Sequence, residues 1–149
     1  MRFRNIRKRC GFTLIEVVLS LAVLVVIFGI AAPVYQDYQI RNGLDVSVNN
    51  IVENLRRAQA LSMAVEEDSS WGVNITVGNI TLFKGSSFAT RDATYDETSE
   101  MLGIISPSGL SEIIFSKLDG YPNSFGALTL SASGNVRTIS INEKGMLTY

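Results

Sequence analysis

Hydrophobic and polar positions change period twice along this chain, and the changes divide it into three stretches. From Phe12 to Ala32 the run is apolar apart from one charge, Glu16, and three other breaks at Thr13, Ser20 and Gly29. These twenty-one residues, at about 1.5 Å each, predict a helix of roughly 30 Å, one hydrocarbon core. Beyond Pro33 the helix is expected to continue with a single stripe. Leu44, Val48, Ile51, Leu55, Ala58, Ser62 and Val65 follow at steps of four and three, and only Ser62 is polar. That is the pattern of one buried helix face. Asn49, Glu53, Arg56 and Arg57 lie off the stripe and read as solvated positions. Glu53 and Arg57 stand four apart in the order that favours an exposed ion pair. A sheet is the expected partner of the stripe, ahead of a coiled-coil seam, because strand signals follow at once.

From Trp71 the period becomes two. Trp71, Val73, Ile75 and Val77 alternate with Gly72, Asn74 and Thr76, which predicts a strand with one apolar face. Gly78-Asn79 is the expected hairpin turn and Ile80–Lys84 the returning strand. Trp71 reads as a sheet-core aromatic. Ala89 to Glu100 is polar and acidic and is expected as a solvated excursion. Further strands are predicted at Gly103–Ser106, Ile113–Ser116, Ala127–Ser131, Val136–Asn142 and Met146–Tyr149, with turns at Ser133-Gly134-Asn135 and Lys144-Gly145. The fold class is α+β: a long N-terminal helix packed on a C-terminal antiparallel β domain.

Charge adds a direction. Arg2, Arg4, Arg7, Lys8 and Arg9 stand directly before Gly11, and the next basic residue after the apolar run is Arg41. The positive-inside bias then predicts a single pass with the N-terminus in the cytoplasm and the β domain across the membrane. A secretory signal peptide is the rival, with Gly29, Ala31 and Ala32 as the small residues of a cleavage site. The length of the run, Glu16 near its start and Pro33 after the small residues count against it. Glu16 gains from the positive end of the helix dipole and can reach toward headgroups. An ionisable residue inside a membrane segment nevertheless suggests a function and a partner.

The basic leader, Gly11, and Phe12-Thr13-Leu14-Ile15-Glu16 opening the apolar run together resemble the prepilin leader of type IV pilins and pseudopilins. The resemblance implies cleavage between Gly11 and Phe12 and N-methylation of Phe12 by the same prepilin peptidase/methyltransferase. It implies that Glu16 meets the new α-amino group of a neighbouring subunit and sets axial register. It also implies that Pro33 kinks or melts the helix. The segments expected are a leader (1–11), a transmembrane and polymerisation helix (12–32), an amphipathic half (33–67) and an antiparallel β domain (68–149). A second resemblance, to the FimT/GspH-like pseudopilin domain, rests on Leu55-Arg56-Arg57-Ala58-Gln59-Ala60, Trp71-Gly72-Val73 and Phe83-Lys84-Gly85. It implies a minor pseudopilin of a type II secretion pseudopilus. The implied partners are other pilin or pseudopilin subunits and an inner-membrane assembly platform, and the implied location is the inner membrane and then a filament.

Composition narrows the chemistry. Without the leader the chain has eight Lys/Arg against fourteen Asp/Glu, a balance unlike that of a general nucleic-acid binder. Lys84, Arg91, Lys117, Arg137 and Lys144 are scattered among acids. Cys10 is the one cysteine and lies in the leader, and there is no histidine, so Ser-His-Asp, Cys-His and His-ligated zinc sites are excluded. No cofactor is expected, and no catalytic or metal residues are assigned. Glu66-Glu67-Asp68 with Asp92, Asp96, Glu97 and Glu100 has the oxygen donors a calcium ion takes, but such clusters are commonly solvated faces. Major pseudopilins hold calcium near their C-terminus; here only Glu143 follows Asp119, so that site is not carried over. A structural, filament-forming subunit is the expectation. The alternatives are a type IV pilus pilin serving adhesion, motility or DNA uptake, and a membrane-anchored or secreted monomeric β domain.

Overall fold

The computed structural model describes residues 11–149, with side chains left aside at residues 30–34. The basic leader residues and the Pro33 side chain, on which two sequence expectations rest, lie outside that description. The chain divides into two compact units between Asp37 and Tyr38. One helix, α1 (Leu14–Met63), contributes to both.

In the second unit the helix stripe does what its spacing predicts as far as Ser62, while Val65, expected as its last member, lies beyond the helix end and is only partly buried. Leu44, Ile51, Leu55 and Ala58 are fully buried, Val48 nearly so, and Ser62 with them. Val52 and Ser47 widen the buried face by one residue on either side. Ser47 satisfies its hydroxyl by donating to the Gly43 carbonyl at 2.8 Å. The helix stops after Met63. The Ala64 and Val65 amides return to Ala60 and Ser62, and Val65 takes a left-handed conformation (φ 58°) that a β-branched residue rarely adopts. A short 3₁₀ turn over Glu66–Asp68 then leads into the sheet.

Two four-stranded antiparallel sheets receive this helix face. The first contains β1 (Trp71–Thr76), β2 (Asn79–Lys84), β3 (Asp92–Glu100) and β5 (Glu112–Phe115), in the order β3-β2-β1-β5. The second contains β4 (Ser106–Gly109), β6 (Gly126–Ala132), β7 (Asn135–Ile141) and β8 (Leu147–Thr148), in the order β4-β6-β7-β8. Val73, Ile75, Ile80, Leu82, Ile113 and Phe115 from the first sheet share one apolar cluster with Leu128, Leu130, Ile139 and Ile141 from the second and with the helix stripe. Trp71 belongs to this cluster, as its place in the strand predicts. Its indole N–H donates to the Glu66 carbonyl at 3.2 Å, and its ring meets Tyr95 edge to face at 6.1 Å.

The outer face of the first sheet has a cover of its own. Phe83 is fully buried there, against Phe88 at 5.4 Å in an edge-to-face pair. The Phe88 amide donates to Glu112 Oε1 at 2.9 Å, and the Arg91 guanidinium sits 3.7 Å from the Phe88 ring centre. Gly72 permits the close fit: a Cβ there would stand 2.7 Å from Phe83 Cζ and 2.9 Å from the Ile113 carbonyl.

Four local expectations are corrected. Thr76 pairs with Asn79, so the hairpin turn is Val77-Gly78 and not Gly78-Asn79. Its second position needs positive φ, and Gly78 supplies 87°. The acidic stretch is not a solvated excursion: Asp92–Glu100 is the edge strand β3, held by backbone pairing to β2. The strand expected at Gly103–Ser106 begins only at Ser106, because Gly103 and Ile104 form a turn closed by the Ile105 amide on the Leu102 carbonyl at 2.9 Å. Arg57 is exposed, as expected, but its partner is not Glu53. It forms a two-pronged pair with Glu97 of β3, both bonds 2.6 Å.

The sheet edges are guarded against further strand pairing. β3 carries Asp92, Asp96, Glu97 and Glu100, and its register breaks between Leu82 and Lys84. Charges and bulges of this kind are what natural edge strands use to resist addition. The free side of β5 is occupied by Asn123, whose amide donates to the Ile114 carbonyl at 2.8 Å and whose Oδ1 accepts from the Ile114 amide at 3.0 Å. Pro107 interrupts the donor pattern of β4.

Ser62 ties the helix end to both sides of this arrangement. Its hydroxyl oxygen accepts the Trp71 amide at 2.9 Å, and its carbonyl accepts the Leu118 amide at 3.1 Å. Ser62→Ala leaves the Trp71 amide without that acceptor in a buried position, which costs about 1–3 kcal/mol. Urea unfolding should therefore show a lower midpoint at unchanged slope; an unchanged midpoint would contradict this role.

Candidate processing and assembly segment

The residues singled out by sequence gather at the start of the chain because the helix begins where it does. Residues 11–13 are non-helical, and α1 opens at Leu14. The Thr13 carbonyl accepts the first ladder bonds, from the Glu16 amide at 3.1 Å and the Val17 amide at 3.2 Å. The Thr13 hydroxyl oxygen also accepts from the Glu16 amide, at 3.4 Å. Thr13 is thus the N-cap. By sequence Thr13 is a break in apolarity and a member of the prepilin-like stretch; the Thr-x-x-Glu spacing to Glu16 is also a signature of a helix start.

Gly11 has open space where a Cβ would project, and Phe12 is 84% exposed. The bond between them is therefore unobstructed by the described residues. Glu16 lies in the first turn, exposed, where the helix dipole favours a carboxylate. Among the described residues the ion pairs join Arg57 to Glu97, Lys84 to Glu67, Arg91 to Asp96, Lys117 to Asp68 and Arg137 to Asp45; Glu16 is in none of them. Pro33 falls within α1, sixteen residues or more beyond this cluster, and is not brought near it by the helix.

The helix that follows is apolar on every side. Leu14, Ile15, Leu19, Val25 and Phe28 are each at least 66% exposed, and so are their neighbours to lesser degrees. A helix apolar all round is stable only when something apolar surrounds it. The stretch with described side chains, Leu14–Gly29, spans about 24 Å at 1.5 Å per residue, short of a 30 Å core. Accordingly, among the described residues no helix is long and apolar enough to cross a membrane.

The acidic residues considered for calcium do not converge. Asp68 pairs with Lys117, Glu67 with Lys84 at 3.5 Å, Asp96 with Arg91 at 2.8 Å and Glu97 with Arg57. Among the described residues no group of three or more His, Cys, Asp or Glu side chains is placed to hold a metal ion. Carboxylates of one cluster have been distributed to separate cations.

Residues 6–32 match the family model of the prokaryotic N-terminal methylation motif. The chain carries a prepilin motif. The match supports the type IV pilin and pseudopilin family, and the long helix packed on antiparallel sheets is the architecture of pilin-like folds. No curated protein and no solved structure matches the chain. The prepilin motif contains Gly11, Phe12, Thr13 and Glu16, while Pro33 stands one residue past its end. Such a motif implies processing by a prepilin peptidase and assembly with other pilin subunits.

The pairing of the acids carries a pH prediction. The hydrogen bond from Lys117, and then its charge, hold the Asp68 carboxyl below the usual 3.8; Asp92 is held below 3.8 by the Thr94 amide at 3.1 Å, with Lys84 adding its charge. A carboxylate depressed in the folded state adds stability above its unfolded pKa and loses that share as pH falls through the folded value. The share from these two groups is therefore full well above pH 3.8, begins to fall as the unfolded carboxyls protonate around that value, and is lost as pH drops through the folded values. A carboxyl-carbon NMR titration should place Asp68 below 3.8 in the wild type and move it upward in Lys117→Ala. An unmoved Asp68 would break the assignment of cause.

Proposed function

We propose that this chain is a structural subunit of a type II secretion pseudopilus, a minor pseudopilin of the FimT/GspH-like kind, and that it acts by assembly and not by catalysis. The observation that carries the proposal is a contrast within the one chain. The β unit packs a continuous apolar core with only scattered apolar side chains left exposed, whereas the helix inside the matched motif leaves its apolar surface uncovered on every side. Assembly is therefore driven through the helix. Lipid can cover that surface before assembly, and the same segments of other subunits can cover it afterwards.

In this reading the precursor sits in the inner membrane, N-terminus in the cytoplasm, with residues 12–32 as its span. Peptidase cuts between Gly11 and Phe12, the amine of Phe12 is methylated, and the subunit enters the filament. Exchange of lipid for like helices gains little from solvation, since both are equally apolar, so packing and polar contacts must set the register. Glu16 against the Phe12 ammonium of a neighbour supplies such a contact. Pro33 gives the helix a place to bend or unwind, because it cannot donate to the ladder. The FimT/GspH-like stretches, Leu55–Ala60, Trp71–Val73 and Phe83–Gly85, serve the fold: Leu55, Ala58, Trp71, Val73 and Phe83 are all buried.

Glu16→Ala tests the assembly role. The variant should insert and be cleaved as the wild type is, yet be depleted at least severalfold from sheared filaments, with a matching fall in protein secretion. Incorporation at the wild-type level would remove the register function from Glu16. Secretion that persists when the chain is absent, together with loss of surface pili, would move the protein from pseudopilus to type IV pilus.

A further inference from the structure

Thr13 has a place in the geometry that its neutral chemistry hides. The ladder of α1 starts on its carbonyl, and its hydroxyl accepts the Glu16 amide. Were the helix to begin two residues earlier, the Gly11 carbonyl would accept the Ile15 amide and lie inside the first turn. As it stands, Gly11 and Phe12 are non-helical, Gly11 has nothing within 4 Å of a Cβ position, and Phe12 is 84% exposed. Hydrolysis requires that this carbonyl be free. Water adds to the Gly11 carbonyl carbon, the C–N bond to Phe12 breaks, and the nitrogen takes a proton and leaves as the new amine; Gly11 keeps the carboxylate. A carbonyl engaged in a helix turn, flanked by the turn's own side chains, cannot be approached in that way.

Resting on the processing reading above, we infer that Thr13 is a positioning residue for leader cleavage: its cap holds the helix start just past the Gly11–Phe12 bond and keeps that bond out of the helix. Ala or Val at this position cannot cap. An uncapped start can creep toward the leader, because Phe12 has an amide to contribute and the segment after it is strongly helical. The hydroxyl, not the shape of the side chain, is the feature required, so Ser should substitute for Thr and isosteric Val should not.

The test uses full-length chain in membranes with active prepilin peptidase, comparing wild type, Thr13→Val and Thr13→Ser. Cleavage is followed by the mass of the N-terminal peptide. Carbonate extraction establishes that each variant is inserted, and backbone carbon shifts of Phe12 and Thr13 report where the helix begins. Thr13→Val should be cleaved roughly fivefold more slowly, the factor a lost cap carries, with Phe12 shifts moving toward helical values; Thr13→Ser should match the wild type in both. Cleavage of Thr13→Val at the wild-type rate overturns the inference, and so does equal slowing of Val and Ser. Wild-type chain left uncut beside a control pilin that is cut would overturn the processing reading itself, and this inference with it.

Discussion

Burial of one helix face by two sheets is the constraint on which the second unit depends. Leu44, Ile51, Leu55 and Ala58 lie in the same apolar cluster as Val73 and Ile113 from one sheet and Leu128 and Ile139 from the other. Neither sheet has another wide apolar partner, so the stripe is what makes one core of two four-stranded pieces. Each fully buried Leu or Ile contributes about 1.5–3 kcal/mol relative to exposure. The charged contacts around it are weaker and serve placement: Arg57 to Glu97 and Arg137 to Asp45 fasten the helix to β3 and β7 from surface positions.

Completeness of that core bears on function. Strand edges that carry acids, a register break, Asn123 or Pro107 discourage growth of the sheets. The apolar helix upstream is the opposite case, with its side chains exposed all round. Among the described residues this is the widest apolar surface left uncovered, and it lies within the matched motif. Glu16 is the one charge on that surface among the described residues from Phe12 to Ala32. In an apolar bundle a single charged group distinguishes one axial position from another far better than any aliphatic side chain.

What the sequence revealed depended on whether a residue's role was periodic. The helix stripe and the alternation of β1 and β2 were legible because burial itself has those periods. β3 was not, since an edge strand held by backbone bonds needs no apolar alternation, and Asp92, Asp96 and Glu97 suggested solvent instead. The hairpin turn was displaced by one residue because Asn79 resembles a turn former yet serves as the first residue of β2. Arg57 paired across 40 residues of chain with Glu97, a contact that helix spacing to Glu53 could not foretell. At the N-terminal segment, Gly11, Phe12 and Glu16 stand out through the motif alone. Thr13 required the helix start to be seen, because its contribution is a hydrogen bond to a backbone amide.

The central claim is that the chain is processed as a pilin and then enters a filament. Mass spectrometry of the N-terminal peptide, compared between the membrane fraction and sheared filaments, tests it most directly. The account predicts a peptide that begins with N-methylated Phe12 in both fractions. A peptide that keeps the leader in cells with active peptidase, or one that begins near Pro33, would contradict it.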